Sequence, residues 1–220
     1  MNYHELILNS ITKHPSNVYG LKWVPSVEPI YQDTTDWPVT RGMAGANESG
    51  RHFSVLNHEA LTYAYNKLKS PPKLIVEIGV DRSENYSLSS TSTLLKLKPT
   101  DCVYIGIDIE DKSSLQNPSE NIFTIQTDSA DKNKIYEYIN ALGLNEIDFM
   151  FVDGWHSINQ VLFEWTYWER MSAQGVMAFH DTNCHFGPVA VLDAIDTDLF
   201  SVEYFGRGEV DWGVGVVQRL

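Results

Sequence analysis

The chain has 220 residues, 43% of them hydrophobic and 20% charged, enough to bury one full core as a single globular domain. Its formal net charge of -13 opposes phosphate backbones, which argues against nucleic acid and favours a small neutral or cationic partner. No run reaches the length of a membrane span, "MNYHELILNS" has no signal-peptide character, and Cys102 and Cys184 make no disulfide framework, so a cytoplasmic setting is expected.

In chain order, a helix is expected near Tyr3 to Lys13, followed by an irregular stretch with Pro15, Pro25, Pro29 and Pro38. Residues 1–56 therefore read as a cap or lid, in which Trp23, Tyr31 and Trp37 are available to close over a site. Asn57 reads as the N-cap of a helix over "HEALTYAYNKLK", with Ala60, Leu61, Ala64, Tyr65 and Leu68 on one face. From there to residue 220 strands and helices alternate. "KLIVEIGV", "CVYIGIDIE", "NIFTIQTD", "IDFMFVD" and "GVMAFHD" are apolar runs of the kind buried on both sheet faces. Between them Ile135, Tyr138, Ile139 and Leu142 keep a helical period, as do Ile158, Val161, Leu162, Trp165 and Trp168. "VLDAIDTDL" gives a last helix, and "SVEYFGRGEVDWGVGVVQRL" reads as an antiparallel hairpin. The expected fold is α/β: a Rossmann-like, mostly parallel sheet of seven strands, helices on both faces, and a terminal antiparallel hairpin.

Ligands of open α/β sheets bind beyond the carboxyl ends of the strands. Here those ends are acidic: Glu77, Asp81, Asp108, Glu110, Asp128, Asp153 and Asp181. A carboxylate at a helix start is often only a cap, and Asp128 with Ser129 has that reading open to it. The cap reading fits less well where His156 and His180 accompany Asp153 and Asp181. After the first strand only Gly79 is present, not the three glycines of a dinucleotide fingerprint, so a diphosphate cradle is not expected, and a cofactor with a nucleoside but no phosphate still has a place there.

With these motifs in order, Pro71 to Leu220 resembles a class I S-adenosylmethionine-dependent methyltransferase. "VDGWHS", "GVMAFHDTN" and "FGPVAVLDAI" are similar to the D-G-x-H-S…HD pattern of a small branch that includes cephalosporin-hydroxylase-like proteins. The resemblance implies S-adenosylmethionine as cofactor. Glu77 and Gly79 would lie at its methionine part, Asp108 (Glu110 in reserve) at its ribose, and Asp128 and Ser129 at its adenine, with Asp153 bordering the same pocket. It departs from the family in the bulky "GVDRSENYSLSSTST", where Ser87 to Ser90 either open the next helix in place of glycines or fill the pocket.

Alignment with metal-dependent O-methyltransferases puts Asp153 and Asp181 at metal-ligand positions, for Mg²⁺ or another divalent cation, and His156 where that group has a catalytic lysine. Thr182 stands in place of an asparagine, and Asn183 falls one residue late. The chemistry is coherent without the family: a cation on Asp153 and Asp181 polarises a hydroxyl, and His156 takes its proton as general base. A turn with a helix cap is the alternative for Asp153 to His156. His180 is expected in the core or behind the site, because its side chain should oppose that of Asp181 on a regular strand. Trp165, Tyr167 and Trp168 read as core, and His58 and His185 as surface or lid positions. The expected activity is O-methylation of a small hydroxylated molecule, with a homo-oligomer left open. The alternative is a methyltransferase-like binding or structural module without cofactor.

Overall fold

The computed structural model describes residues 18–25, 55–80, 89–183, 185–206 and 211–220. The expected helix at Tyr3 to Lys13, Tyr31, Trp37, Asp81, the Arg82–Ser87 stretch and Cys184 lie outside these residues. In order, the elements are α1 (Val55–Asn66), β1 (Leu74–Ile78), α2 (Ser90–Leu97), β2 (Val103–Asp108), β3 (Ile122–Gln126), α3 (Lys132–Ala141), β4 (Ile147–Val152), α4 (Ile158–Trp165), β5 (Met171–His180), α5 (Phe186–Ala194), β6 (Phe200–Phe205) and β7 (Val214–Arg219). Among them no helix is long and apolar enough to cross a membrane.

The strands form one sheet of seven in the order β3-β2-β1-β4-β5-β7-β6. β1 to β5 pair in parallel, while β7 runs antiparallel to both β5 and β6. The order reverses between β1 and β4, and such a switch point opens a crevice at the carboxyl edge. Alternation along β1 sends Leu74, Val76 and Ile78 to a core built with Ile135 and Ile139 of α3, Val161, Leu162 and Trp165 of α4, and Val191 and Leu192 of α5. Ile75 faces the other way, to a core with Ala60, Leu61 and Ala64 of α1 and Leu94 of α2. β1, β2 and β4 are hydrophobic along most of their length because both faces are covered. Trp165, Tyr167 and Trp168 are buried, as their helical spacing predicts.

Local signals moved in three places. Asn57 is no N-cap: α1 already includes Val55 and Leu56, and Asn57 is a buried residue on its inner face. The helix expected over "VLDAIDTDL" starts earlier, at Phe186, and ends at Ala194, where Ile195 turns extended and bridges Leu21. α2 starts at Ser90 with Ser89 as its cap, the Ser89 hydroxyl accepting from the Ser92 N–H at 3.1 Å, so serines open this helix where glycines were absent.

The described part of the N-terminal stretch packs at the far end of α5, not at its start. Leu21 bridges Ile195, the Lys22 N–H donates to the Ala194 carbonyl at 2.8 Å, and the Trp165 indole donates to the Tyr19 carbonyl at 2.8 Å. Trp23 stays half exposed.

Candidate active site

The ends of β1, β2 and β3 form one rim of the crevice. Glu77 is fully buried; its carboxylate accepts from the Ser90 hydroxyl at 2.6 Å and from the Tyr104 hydroxyl. Burial pushes its pKa up to about 7, against the pull of those hydroxyls. The next turn needs a glycine: Gly79 has φ +81°, and a Cβ there would strike the Asp153 carbonyl. Asp108 ties two loops together, accepting from the Val80 N–H at 2.9 Å and the Glu110 N–H at 2.8 Å. Glu110, the reserve for Asp108, is exposed and pairs with Lys112 at 3.0 Å. Beyond β3, Asp128 accepts from the Ala130 N–H at 2.8 Å and the Gln160 amide at 3.3 Å. Ser129 donates to Glu164 at 2.7 Å and accepts from Gln160 at 2.5 Å. Glu164 is fully buried under Gly154 and burial pushes its carboxyl up to about 8, so it is neutral at pH 7.

The ends of β4 and β5 form the other rim. The pair Val152–Phe179 closes the β4–β5 ladder, so Asp153 and His180 emerge side by side. His180 Nδ1 lies 3.1 Å from Asp153 Oδ1 and 3.5 Å from Asp181 Oδ1. This corrects the expectation that His180 faces away from Asp181. Asp181 adopts φ +60°, a left-handed conformation that aspartate tolerates better than most residues, and the strand's alternation breaks there. His180 and Asp181 consequently meet. His156 Nε2 stands 2.7 Å from Asp181 Oδ2 and 3.7 Å from Asp153 Oδ1, although the approach to Asp181 is not aligned as a hydrogen bond.

Two residues that the sequence places elsewhere, Asn57 as a helix cap and His185 at the surface or lid, complete this cluster. The Asn57 side-chain amide reaches His180 Nε2 at 3.0 Å from α1. His185, at the start of α5, stacks on His156 with ring centroids 4.2 Å apart, and Trp212 lies parallel to His185 at 6.1 Å. Gly187 makes that stacking reachable: its N–H donates to the His156 carbonyl at 3.1 Å, and a Cβ there would collide with the same carbonyl. Asn183 is spent elsewhere, its amide donating to the carbonyls of Gly206 and Asp211. It is no substitute for the asparagine that Thr182 replaces.

The electrostatics of this rim are those of a compensated cluster. Burial alone would lower the His156 pKa, but Asp181 and Asp153 outweigh it and raise it to about 10. His180 is raised well above the usual histidine range, burial again being overcome by the same two carboxylates. Conversely, burial would raise both aspartates, yet the imidazoles hold Asp153 low and Asp181 well below the carboxylate range. Without a cation, then, both imidazoles are protonated at pH 7 and both aspartates ionised. His185 is lowered, by burial first, and is neutral. One ligand atom each of Asp153, His180 and Asp181 lies within 4.8 Å of the others, and the same holds for His156, Asp181 and His185.

Of the residues singled out in the sequence, Asp153, His156 and Asp181 are brought into contact. Gly79 lies against the same turn. Asp108, Asp128 and Ser129 lie at the neighbouring strand ends, and Glu77 is turned beneath α2. Gln160 and Glu164 escaped sequence reasoning, while the sequence reads Asn57 as a helix cap and His185 as a surface or lid residue. Only the i, i+4 pairing of Gln160 and Glu164 on an otherwise apolar helix was a usable signal.

No family model and no curated protein matches the chain. Solved structures do. The MycE methyltransferase of the mycinamycin biosynthetic pathway, in complex with Mg and S-adenosylhomocysteine, aligns with a TM-score of 0.54 and 16% identity over 83% of this chain and 54% of that one. The O-methyltransferase TomG from Streptomyces achromogenes, in complex with S-adenosylmethionine, aligns with a TM-score of 0.52 and 12% identity, covering 84% of this chain and 93% of TomG. CalS11, a TDP-rhamnose 3'-O-methyltransferase, aligns at 0.53 with 11% identity over 98% of this chain and 93% of its own. The chain spans about half the length of the MycE chain. At these identities it is the architecture that is shared: the chain has the Rossmann-like fold of S-adenosylmethionine-dependent methyltransferases.

Proposed function

We propose that the chain is an S-adenosylmethionine-dependent methyltransferase acting on a hydroxyl group of a small molecule. The observation that carries the proposal is the convergence of Asp153, His156 and Asp181 at the carboxyl ends of β4 and β5, within 3.7 Å contacts, on this fold. The Mg and S-adenosylhomocysteine bound by MycE, the S-adenosylmethionine bound by TomG and the mycinamycin VI bound by MycE support the same class of cofactor and acceptor.

S-adenosylmethionine supplies a methyl group made electrophilic by its sulfonium. In this reading the Asp108 carboxylate accepts the ribose hydroxyls, Asp128 and Ser129 border the adenine, and the Gly79 turn, with Glu77 beneath it, borders the methionine part. Asp153 and Asp181 suit a divalent cation, which would polarise the acceptor hydroxyl and take over the carboxylate charge that keeps a proton on His156. His156 accepts the hydroxyl proton, and its stacking on His185 fixes the ring for that transfer. Residues 1–56 belong to the reading as a cap.

A binding module without cofactor is the second reading. It is favoured by Glu77 and Asp108, whose carboxylates already accept hydrogen bonds within the protein. Calorimetric titration with S-adenosylhomocysteine separates the two. One site with a dissociation constant below ~1 mM, the weak end of specific affinities, is expected, and no heat at that concentration would overturn the enzyme reading.

A further inference from the structure

We infer that the centre formed by Asp153, His180 and Asp181 is a mixed nitrogen–oxygen site that takes a borderline transition ion such as Mn²⁺, Fe²⁺, Co²⁺ or Zn²⁺ in preference to Mg²⁺, with Asn57 orienting the His180 ligand. It rests on the cation reading of this site proposed above and is independent of the methyl donor.

The geometry comes first. Cis ligands on an ion with bonds of about 2.1 Å stand about 3.0 Å apart in an octahedron and about 3.4 Å apart in a tetrahedron. His180 Nδ1 is 3.1 Å from Asp153 Oδ1 and 3.5 Å from Asp181 Oδ1, so the imidazole nitrogen stands at about the spacing of a neighbouring ligand from each carboxylate, and one ligand atom of each of the three residues lies within 4.8 Å of the others. Asp181 keeps its other oxygen, Oδ2, for His156, which leaves that imidazole outside the triad.

The donor chemistry decides the class of ion. Mg²⁺ is held by oxygen and sheds water reluctantly, whereas imidazole suits the later divalent ions. Here the residue that follows Phe179 on β5 presents a nitrogen.

Asn57 completes the argument. A histidine that ligates through Nδ1 must carry its proton on Nε2 and needs an acceptor there. The Asn57 amide lies 3.0 Å from that atom and is fully buried. A half-turn of the amide, which leaves its shape unchanged, offers the oxygen. A buried polar residue on the inner face of α1, where the period calls for an apolar one, gains a reason from this contact.

The test uses untagged full-length protein stripped of metal and titrated with Co²⁺, read by its visible absorption, then back-titrated with Mg²⁺. One Co²⁺ per chain is expected, with Mg²⁺ displacing it only at 100-fold or greater excess. His180→Ala should lose Co²⁺ binding roughly 100-fold, and Asn57→Leu should weaken it roughly 10- to 100-fold. His180→Asp, which keeps three ligands but makes them all oxygen, should shift the preference towards Mg²⁺. Thermal unfolding of each variant identifies any that misfolds, and His180→Asp then carries the test. Absence of Co²⁺ binding, displacement by equal Mg²⁺, or wild-type affinity in His180→Ala would each overturn the inference. S-adenosylhomocysteine titration of the same samples keeps the two ideas apart. Cofactor binding without Co²⁺ binding sinks only the metal site, and the reverse sinks only the methyl-transfer reading.

Discussion

The two rims of the crevice answer their carboxylates in opposite ways. At the ends of β1 to β3, Glu77, Asp108 and Asp128 are met by neutral donors: hydroxyls, backbone N–H groups and an amide. At the ends of β4 and β5, Asp153 and Asp181 are met by imidazoles that carry charge. Neutral donors bring no opposite charge and leave lone pairs spare, which suits Asp108 to hold the hydroxyls of an uncharged nucleoside. Imidazoles cancel the charge and bring protons that can leave, which suits that rim to proton transfer and to a cation. Under the proposed function, this division places donor binding on one side and chemistry on the other. It also puts the two functions on separate strands, where they can be perturbed one at a time.

The largest expected break in this comparison is His156→Ala. Turnover should fall roughly 10²- to 10⁴-fold, the usual worth of a positioned proton acceptor, while the S-adenosylhomocysteine affinity measured by calorimetry barely changes. Asp108→Ala should give the opposite result. Losing charge-assisted hydrogen bonds should weaken S-adenosylhomocysteine binding roughly 10- to 100-fold, with turnover at saturating donor little altered. Equal losses in both assays for either variant would erase the distinction between the rims.

Glu164 sharpens the comparison, because it belongs to the first rim yet lies beneath the turn of the second. Its folded pKa, about 8, stands well above the 4.5 of a free glutamate. Between those values the folded state binds the extra proton, so this group's contribution to stability falls as pH rises from about 4.5 to about 8. Glu164→Gln should abolish that slope. Denaturant melts from pH 6 to pH 8 should show the wild type losing about 2 kcal/mol relative to the variant. Parallel curves would mean that the carboxyl is already ionised in the fold.

The smallest effect is expected away from both rims, at the partly exposed Lys67–Glu203 pair that ties the turn after α1 to β6. Lys67→Ala should cost less than about 1 kcal/mol in denaturant melts and leave turnover unchanged.

The residue order alone made the strands and their connections legible. Five apolar runs alternating with helical periods, and a tail with two strand patterns, specify parallel crossovers and a closing hairpin, because periodicity records burial locally. It also determined which residues end the strands, and so named Asp108, Asp153, His156 and Asp181 before any geometry was known. Only the tertiary structure decided what those ends touch. The left-handed turn at Asp181 that brings His180 round, the reach of Asn57 from α1, and the stacking of His185 across Gly187 join residues from 27 to 123 positions apart, or hang on a single backbone angle. A period of two or 3.6 residues carries no information about such contacts. Burial can be read along a chain because each residue reports its own surroundings, whereas a site is set by distances between chain segments that only packing fixes.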